Sequence, residues 1–432
     1  MIPPTFPLPE SLDAWLDYIS RQHDAEIVMG LERVRAVWEQ MGKPQAPINI
    51  AVGGTNGKGS TGAMLESILV AAGFNTGFYT SPHLLRFNER VRIGKKSARD
   101  AEFILAFAAV EQARRSLQSP VPLTYFEYVT LAGFWMLAQA QLDVAILEVG
   151  MGGRLDAVNI VDADASVVVS IDLDHQSFLG DTIEKIGLEK AHIYRPGRPA
   201  VFGDLNPPAT LTAHAAQTGA DLWLLSRDFR YRRMDGQWQF LGRDAARHAL
   251  PFPSLRGAYQ LKNASAALAV LESLRDKLPV SQGHIKRGLV EVEWPGRMQV
   301  LPGRPTVVLD VAHNPHAARA LQDALGSMGF YENTYAVFSM LKDKDIDQVI
   351  EIMKDRIDYW CVAGLEKTAG GRATSSEALA QMLALHGAAG RFSQHVDIAG
   401  AFAAARARAG QNDRILVFGS FHTVADVLST IG

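Results

Sequence analysis

The chain has 432 residues, 47% of them apolar and 21% charged, with a net charge of −3. This is the composition of an ordinary globular protein long enough for two domains. Interspersed charge argues against a dedicated nucleic-acid or anionic-membrane surface, and a single cysteine, Cys361, excludes an intramolecular disulfide and suits a reducing compartment. The start, MIPPTFPLPESLDAW, lacks the basic residues and apolar run of a secretory signal. The longest apolar run, residues 129–138, is far shorter than the roughly 18 residues a membrane helix needs. A cytoplasmic protein is expected.

In chain order, the first strong signal is NIAVGGTNGKGSTGAML, residues 49–65. It reads as a buried strand, a glycine-rich loop and the start of a helix. Gly53, Gly54, Gly57 and Gly59 let the backbone turn and point its N–H groups inward. The helix beginning near Ser60 adds a partial positive charge, and Lys58 a full one, for phosphate oxygens. The spacing departs from the strict phosphate-loop pattern, because Gly59 separates Lys58 from Ser60 and Val52 stands where the first glycine belongs.

Helices are expected over 60–72, 101–116 and 127–141, between the β-branched runs TGFYTS, DVAILEVG and ASVVVSIDLD. Near-continuous apolar strands with crossover helices predict a parallel sheet covered on both faces. Ligands of such sheets bind beyond the carboxyl ends of the strands. Glu148 ends one strand, where a carboxylate is placed to hold Mg²⁺. Asp156 follows three glycines and can cap a turn or bind a polar ring. Asp172, Asp174 and His175 leave the next strand end, where His175 suits either a second metal site or a structural role. Lys190 reads locally as a solvated lysine on a helix surface.

After Pro199 the texture changes. FRYRRMDGQWQF alternates around Asp235 and Gly236, a hairpin signal that predicts a small antiparallel flap on the main sheet. Residues 257–274 read as a helix. EWPGRMQVLPGRP, residues 293–305, is rich in Pro and Gly and places a boundary there, giving domains 1–296 and 297–432. TVVLDVA, TYAVFSML, DYWCVAG and RILVFGS then form a second strand series. LDVAHNPHAA gathers Asp310, His313, Asn314 and His316 at its first strand end, and Asn314 followed by Pro315 reads as a helix start. Arg297 lies at the junction. Polar groups on two domains suggest a site that assembles on closure. The expected fold class is α/β: an N-terminal phosphate-loop ATPase domain with a parallel sheet and small antiparallel flap, plus a smaller C-terminal Rossmann-like α/β domain.

The segments GGTNGKGS, TSPHLLRFNERVRI, LTYFEYVTLAGFW, LEVGMGGRLDAVNIV, LDHQSFLGDTIEKIGLEKAHI, DVAHNPHAA and GSFHTVA run in order over nearly the whole chain. Together they resemble the folylpolyglutamate synthase family, which belongs with the Mur-type ATP-dependent amide ligases and whose phosphate loop has this T-N-G-K-G-S spacing. The resemblance implies a carboxylate–amine ligase. ATP phosphorylates a folate-type carboxylate, and the amine of L-glutamate then displaces phosphate from the acyl phosphate. It implies that Thr55, Asn56, Gly57, Lys58, Gly59 and Ser60 hold the triphosphate and that Asn263, Arg297 and Asp310 contact ATP. Two Mg²⁺ ions are implied: one on Ser81 and Glu148, with Ser60 able to add a hydroxyl, and one on His175 and a carbamylated Lys190. Lys58, His175 and Lys190 then carry the catalytic roles, and His316 and Ser420 receive glutamate.

LTYFEY and GGRLDA resemble the bifunctional bacterial members, which also add the first glutamate to 7,8-dihydropteroate. By that match Thr124, Phe126, Leu155, Asp156 and Ala157, with Ile27 and Met29 from EIVMG, form the acceptor site. Phe126 offers a face for a flat ring, and Asp156 offers acceptors for ring N–H donors. His192 and Val158 replace the residues common at those places in the family. A monomer acting on small molecules, with no nucleic-acid or membrane partner, is expected. The alternatives are a monofunctional folylpolyglutamate synthase and, at greater distance, another Mur-type amino-acid ligase.

Overall fold

A computed structural model describes residues 8–25 and 27–431. The chain forms two compact units, one of residues 1–253 and 261–292 and the other of residues 254–260 and 293–432.

The first unit is built on eight strands: β1 (Ile48–Gly53), β2 (Thr76–Tyr79), β3 (Val91–Ile93), β4 (Lys96–Ser97), β5 (Val144–Glu148), β6 (Ala165–Val168), β7 (Pro199–Phe202) and β8 (Asp221–Leu224). They lie in the order β4-β3-β2-β5-β1-β6-β7-β8. The strands from β2 to β8 pair in parallel, while β3 and β4 add an antiparallel edge. β1 is central: Val52 stands opposite Glu148 of β5, and Gly53 opposite Val168 of β6. The loop leaving β1 therefore emerges between two strand ends. The sheet continues beyond Pro199, where sequence texture suggested a change, through β7 and β8, which at four residues each are too short to stand out in the sequence. Of ASVVVSIDLD only Ala165–Val168 is strand.

The Lys58–Ala71 helix is buried along residues 59–69, which suits its lack of a polar face. It packs close to the sheet at Gly62, where a Cβ would come within 2.4 Å of the Phe78 ring. The Tyr125–Gln139 helix is buried over most of its length. Two N-terminal helices, Leu12–Ser20 and Glu32–Gln40, add Trp15, Ile19, Val34 and Val37 to the same core. Glu111, on the Asp100–Arg115 helix, anchors the first of them. It is fully buried, accepts from Tyr18 Oη at 2.7 Å and Arg114 Nε at 2.8 Å, and also takes the Tyr128 hydroxyl and Arg115.

The predicted hairpin is present, as β9 (Arg230–Arg233) and β10 (Trp238–Leu241), with Met234 N–H donating to Gln237 O at 2.9 Å. With β11 (Ala246–Leu250) it makes a separate three-stranded antiparallel sheet. The second unit holds β12 (Gln299–Leu301), β13 (Thr306–Asp310), β14 (Thr334–Phe338), β15 (Tyr359–Ala363), β16 (Phe392–His395) and β17 (Arg414–Phe418), in the order β12-β13-β17-β14-β15-β16. β12, antiparallel to β13, lies in the stretch that sequence read as a boundary. Phe338, Trp360 and Phe418 pack ring to ring at its centre. Among the described residues, no helix is long and apolar enough to cross a membrane.

Candidate active site

The loop after β1 is tied to the exit of β6. Thr55 N–H donates to Ser170 O at 2.8 Å, and Thr55 Oγ1 both donates to Asp172 O and accepts its N–H. Asn56 N–H donates to Ser170 Oγ at 3.1 Å, and that hydroxyl donates to Asn56 O. Two glycines are needed for close approach. A Cβ on Gly54 (φ +140°) would lie 3.1 Å from the Val169 and Ser170 nitrogens. One on Gly57 (φ +85°), the helix N-cap, would lie 2.6 Å from Asn263 Oδ1. Asn263, distant in sequence, is thus seated against the loop. Gly59 and Ser60 follow in the first helical turn, both buried.

Lys58 Nζ donates to Gly54 O at 3.0 Å and Thr55 O at 3.2 Å, and Lys190 Nζ donates to the same Gly54 O at 3.0 Å. Lys190 is 4% exposed, against its local reading as a solvated lysine. Burial, and then the positive charge of Lys58, push its amine down to about 7.

Glu148 is buried where β5 ends and accepts from Thr80 Oγ1. Ser81, the next residue, is half-buried. His175 adopts a left-handed φ of +51° at the N-cap of the short Gln176–Leu179 helix, with its Nε2 3.9 Å from the Asp174 carboxylate. These hydroxyl, carboxylate and imidazole donors fit a hard divalent ion that keeps phosphate and water oxygens among its ligands. Among the described residues, no three His, Cys, Asp or Glu side chains form a ready-made cage.

The candidate acceptor wall is made of side chains. A Cβ on Gly150 would lie 2.5 Å from Phe126 Cζ and 3.2 Å from Asp156 Oδ2, so Phe126 and Asp156 flank that glycine. Asp156 accepts the N–H groups of Met151 at 2.8 Å and Val158 at 2.9 Å and caps the Ala157–Ile160 turn. Burial raises its pKa to about 6 despite these bonds and the charge of Lys58. Thr124 caps the Tyr125–Gln139 helix, with Glu127 N–H donating to its Oγ1 at 3.3 Å and its own N–H donating to Glu127 Oε2 at 2.8 Å. Glu127 also takes Arg33 at 2.8 Å, and Arg33 donates to Val28 O at 2.9 Å. This ties the segment holding Ile27 and Met29 to the start of that helix. Ile27 is exposed, Met29 and Leu155 are half-buried, and Ala157 is buried. Arg33 escaped sequence reasoning because its partner lies 94 residues away.

In the second unit, Asp310 ends β13 and accepts the N–H groups of Met298 and Ala312, each at 2.8 Å. Burial raises its pKa, and Arg297 lowers it. The Arg297 guanidinium lies 5.0 Å from the centroid of Phe421, an aromatic partner that sequence did not suggest. Asn314 caps the Pro315–Gly326 helix through Ala317 N–H, with His316 half-buried in its first turn. Ser420 is buried, bonded to Thr423 Oγ1 at 2.8 Å and accepting Thr423 N–H at 3.0 Å.

A glycine-rich loop at the centre of a parallel sheet, a carboxylate at the adjoining strand end and a second α/β unit define the class of Mur-type ligases. Residues 52–271 match the Mur ligase middle domain, and residues 296–421 match the Mur ligase glutamate ligase domain. The chain is 42% identical over 422 residues to a dihydrofolate synthase/folylpolyglutamate synthase of Escherichia coli (strain K12), covering 97% of this chain and 95% of that one. It is similar to the structure of E. coli FolC in complex with DHPP and ADP, with a TM-score of 0.92, 42% identity and 99% of each chain covered. It is also similar to a bifunctional folylpolyglutamate synthase/dihydrofolate synthase with Mn, AMPPNP and L-glutamate bound, with a TM-score of 0.90, 41% identity and 98% and 99% covered. The chain belongs to the dihydrofolate synthase/folylpolyglutamate synthase family of Mur ligases.

Proposed function

We propose that this chain is an ATP-dependent ligase that adds L-glutamate to 7,8-dihydropteroate, forming dihydrofolate, and to tetrahydrofolate polyglutamates. The observation that carries the reading is likeness over the whole chain to bifunctional synthases, one of them solved with a nucleotide analogue, a divalent ion and L-glutamate. The chain works as a cytoplasmic monomer on small molecules.

The acceptor carboxylate attacks the γ-phosphorus of ATP, ADP leaves, and the glutamate amine then displaces phosphate from the acyl phosphate. Residues 55–60 hold the triphosphate, with the backbone N–H groups of residues 57–60 at the helix start and Lys58, which turns from Gly54 O towards the phosphate oxygens. Asn263, Arg297 and Asp310 contact ATP, with support from the seat of Asn263 against Gly57. Phe126 and Asp156 grip the flat acceptor ring, with Ile27, Met29, Thr124, Leu155 and Ala157 completing that site. His316 and Ser420 receive the incoming glutamate.

A divalent ion, when bound, neutralises phosphate charge and polarises the transferring group. Two Mg²⁺ ions are proposed, held by Ser81 and Glu148 and by His175 and a Lys190 carbamate. The carbamate is supported by the burial of Lys190 and by its lowered pKa, since a neutral amine is the form that combines with carbon dioxide, releasing a proton.

The test is phosphate release with Mg–ATP and L-glutamate, using dihydropteroate and tetrahydrofolate as separate acceptors and mass analysis of products. Glutamate-dependent turnover on both, one glutamate per cycle, is the expected result. Turnover on tetrahydrofolate alone would make this a monofunctional synthase and remove Asp156 and Phe126 from a pteroate role.

A further inference from the structure

Among the described residues, one buried cation near the candidate acceptor wall has no carboxylate paired with it. Arg90 closes the short Phe87–Arg90 helix and begins the turn into β3, where its carbonyl accepts Thr80 N–H at 3.0 Å. It is 9% exposed. Its Nε donates to His83 Nδ1 at 2.9 Å, and among the described residues no carboxylate pairs with it. Its two terminal nitrogens have no acceptor there, yet they are not among the enclosed unpartnered polar atoms, so they open to accessible space. The guanidinium carbon lies 5.4 Å from the Phe87 centroid and 5.9 Å from that of Tyr125.

Tyr125 stands between Thr124 and Phe126. Thr80, held to the Arg90 carbonyl, bonds Glu148 and precedes Ser81. Arg90 and Asp156 both act on buried Tyr79, whose pKa burial raises, Arg90 lowers and Asp156 raises further. Arg90 therefore lies between the acceptor wall and the residues proposed to hold the metal. A guanidinium so little exposed, with only an imidazole and two aromatic rings around it, presents a planar fork that matches a carboxylate.

We infer that Arg90 is the acceptor's carboxylate-binding residue, taking the carboxylate of dihydropteroate by charge-assisted hydrogen bonds and positioning it for phosphorylation. This rests on the activity proposed above. It follows that the chain distinguishes a carboxylate from its neutral amide through this side chain.

The experiment measures dissociation constants for pteroate and for its primary carboxamide, in the presence of Mg–ADP, for wild type, Arg90→Gln and Arg90→Lys. Wild type is expected to favour the carboxylate by at least about tenfold, the size of one charge-assisted pair. Arg90→Gln should bring the ratio to within about twofold of unity while ADP affinity and melting temperature hold. Arg90→Lys should keep several-fold preference. A wild-type ratio near one, or an undiminished ratio in Arg90→Gln, overturns the inference. If Arg90→Gln does not fold, Arg90→Lys decides: weaker pteroate binding with a reduced preference supports the role, and wild-type values overturn it. Wild-type turnover on dihydropteroate is scored separately. Pteroate binding without turnover counts against the activity alone, and neither binding nor turnover removes both.

Discussion

The phosphate loop and the acceptor wall lie in the same unit and are built by opposite means. The loop is backbone: glycines at positive φ and carbonyls that hold lysines, all within six residues of one strand end. The wall is side chains: Phe126, Asp156 and the segment of Ile27 and Met29, drawn from three places in the chain. On the proposed function, a backbone device would recognise what every cycle shares, the nucleotide phosphates. A side-chain device can be changed one group at a time, and it would carry the choice of acceptor.

The sharpest way to break this contrast is Lys58→Ala. If one loop serves both acceptors, kcat should fall by about 10²–10³ or more with each, read by phosphate release. A loss on one acceptor alone would mean that the loop is not shared. Gly57→Ala comes next. Its Cβ would sit 2.6 Å from Asn263 Oδ1 at a φ of +85°, so a loss of roughly 1–3 kcal/mol in unfolding free energy is expected, with weaker ADP binding. Wild-type melting and ADP affinity would show that the loop has slack.

Asp156→Asn should lower kcat/KM for dihydropteroate about tenfold more than for tail extension, because a hydrogen bond to a charged acceptor is lost on one wall only. Equal losses would erase the distinction between the two regions. The same carboxylate gives a pH signature. Its folded pKa of about 6 lies above the ordinary 3.8, so it is increasingly protonated below pH 6 and the dihydropteroate KM should climb there. The sign for stability is opposite. A raised carboxylate pKa costs stability as pH rises from 3.8 through about 6, and Asp156→Asn should remove that slope.

The smallest effect concerns the support of the wall. Glu111 binds Tyr128, two residues beyond Phe126. Burial pushes its pKa up, but Arg114, Tyr128, Arg115 and Tyr18 outweigh that and hold it at about 2. Its contribution is therefore present above pH 4.5 and lost as pH falls towards 2. Glu111→Gln should flatten acid unfolding in that window, while acceptor KM changes by no more than about threefold, as befits a group that touches no substrate.

Sequence made the loop legible because its signal is local: Gly53 to Ser60 state the turn, the donors and the charge within one window. The strand ends at Glu148 and Asp310 were legible for the same reason. Lys190 was not. Its local setting is a helix with charged neighbours, and only tertiary packing buries it against Gly54. The resemblance to a family supplied its proposed role, and burial is consistent with it. Arg33 and Phe421 were not legible because contacts across many residues leave no trace in a local window, whereas the two N-terminal helices, nine residues each, do carry an apolar face of Leu12, Trp15 and Ile19 and of Val34, Val37 and Trp38. β7, β8 and β12 were missed because strands of three or four residues are too brief to show alternation.

The position of β1 carries one more consequence. Hydrogen-bonded on both sides and stitched at its exit to Ser170, it can release its loop only if the middle of the sheet comes apart. The amides of Thr55 and Asn56 should therefore exchange with deuterium near the rate of global opening, whereas the β9–β11 sheet should exchange earlier. A protease meeting the native chain would cut at Asp235 and Gly236 first, nicking the molecule while leaving the nucleotide loop folded.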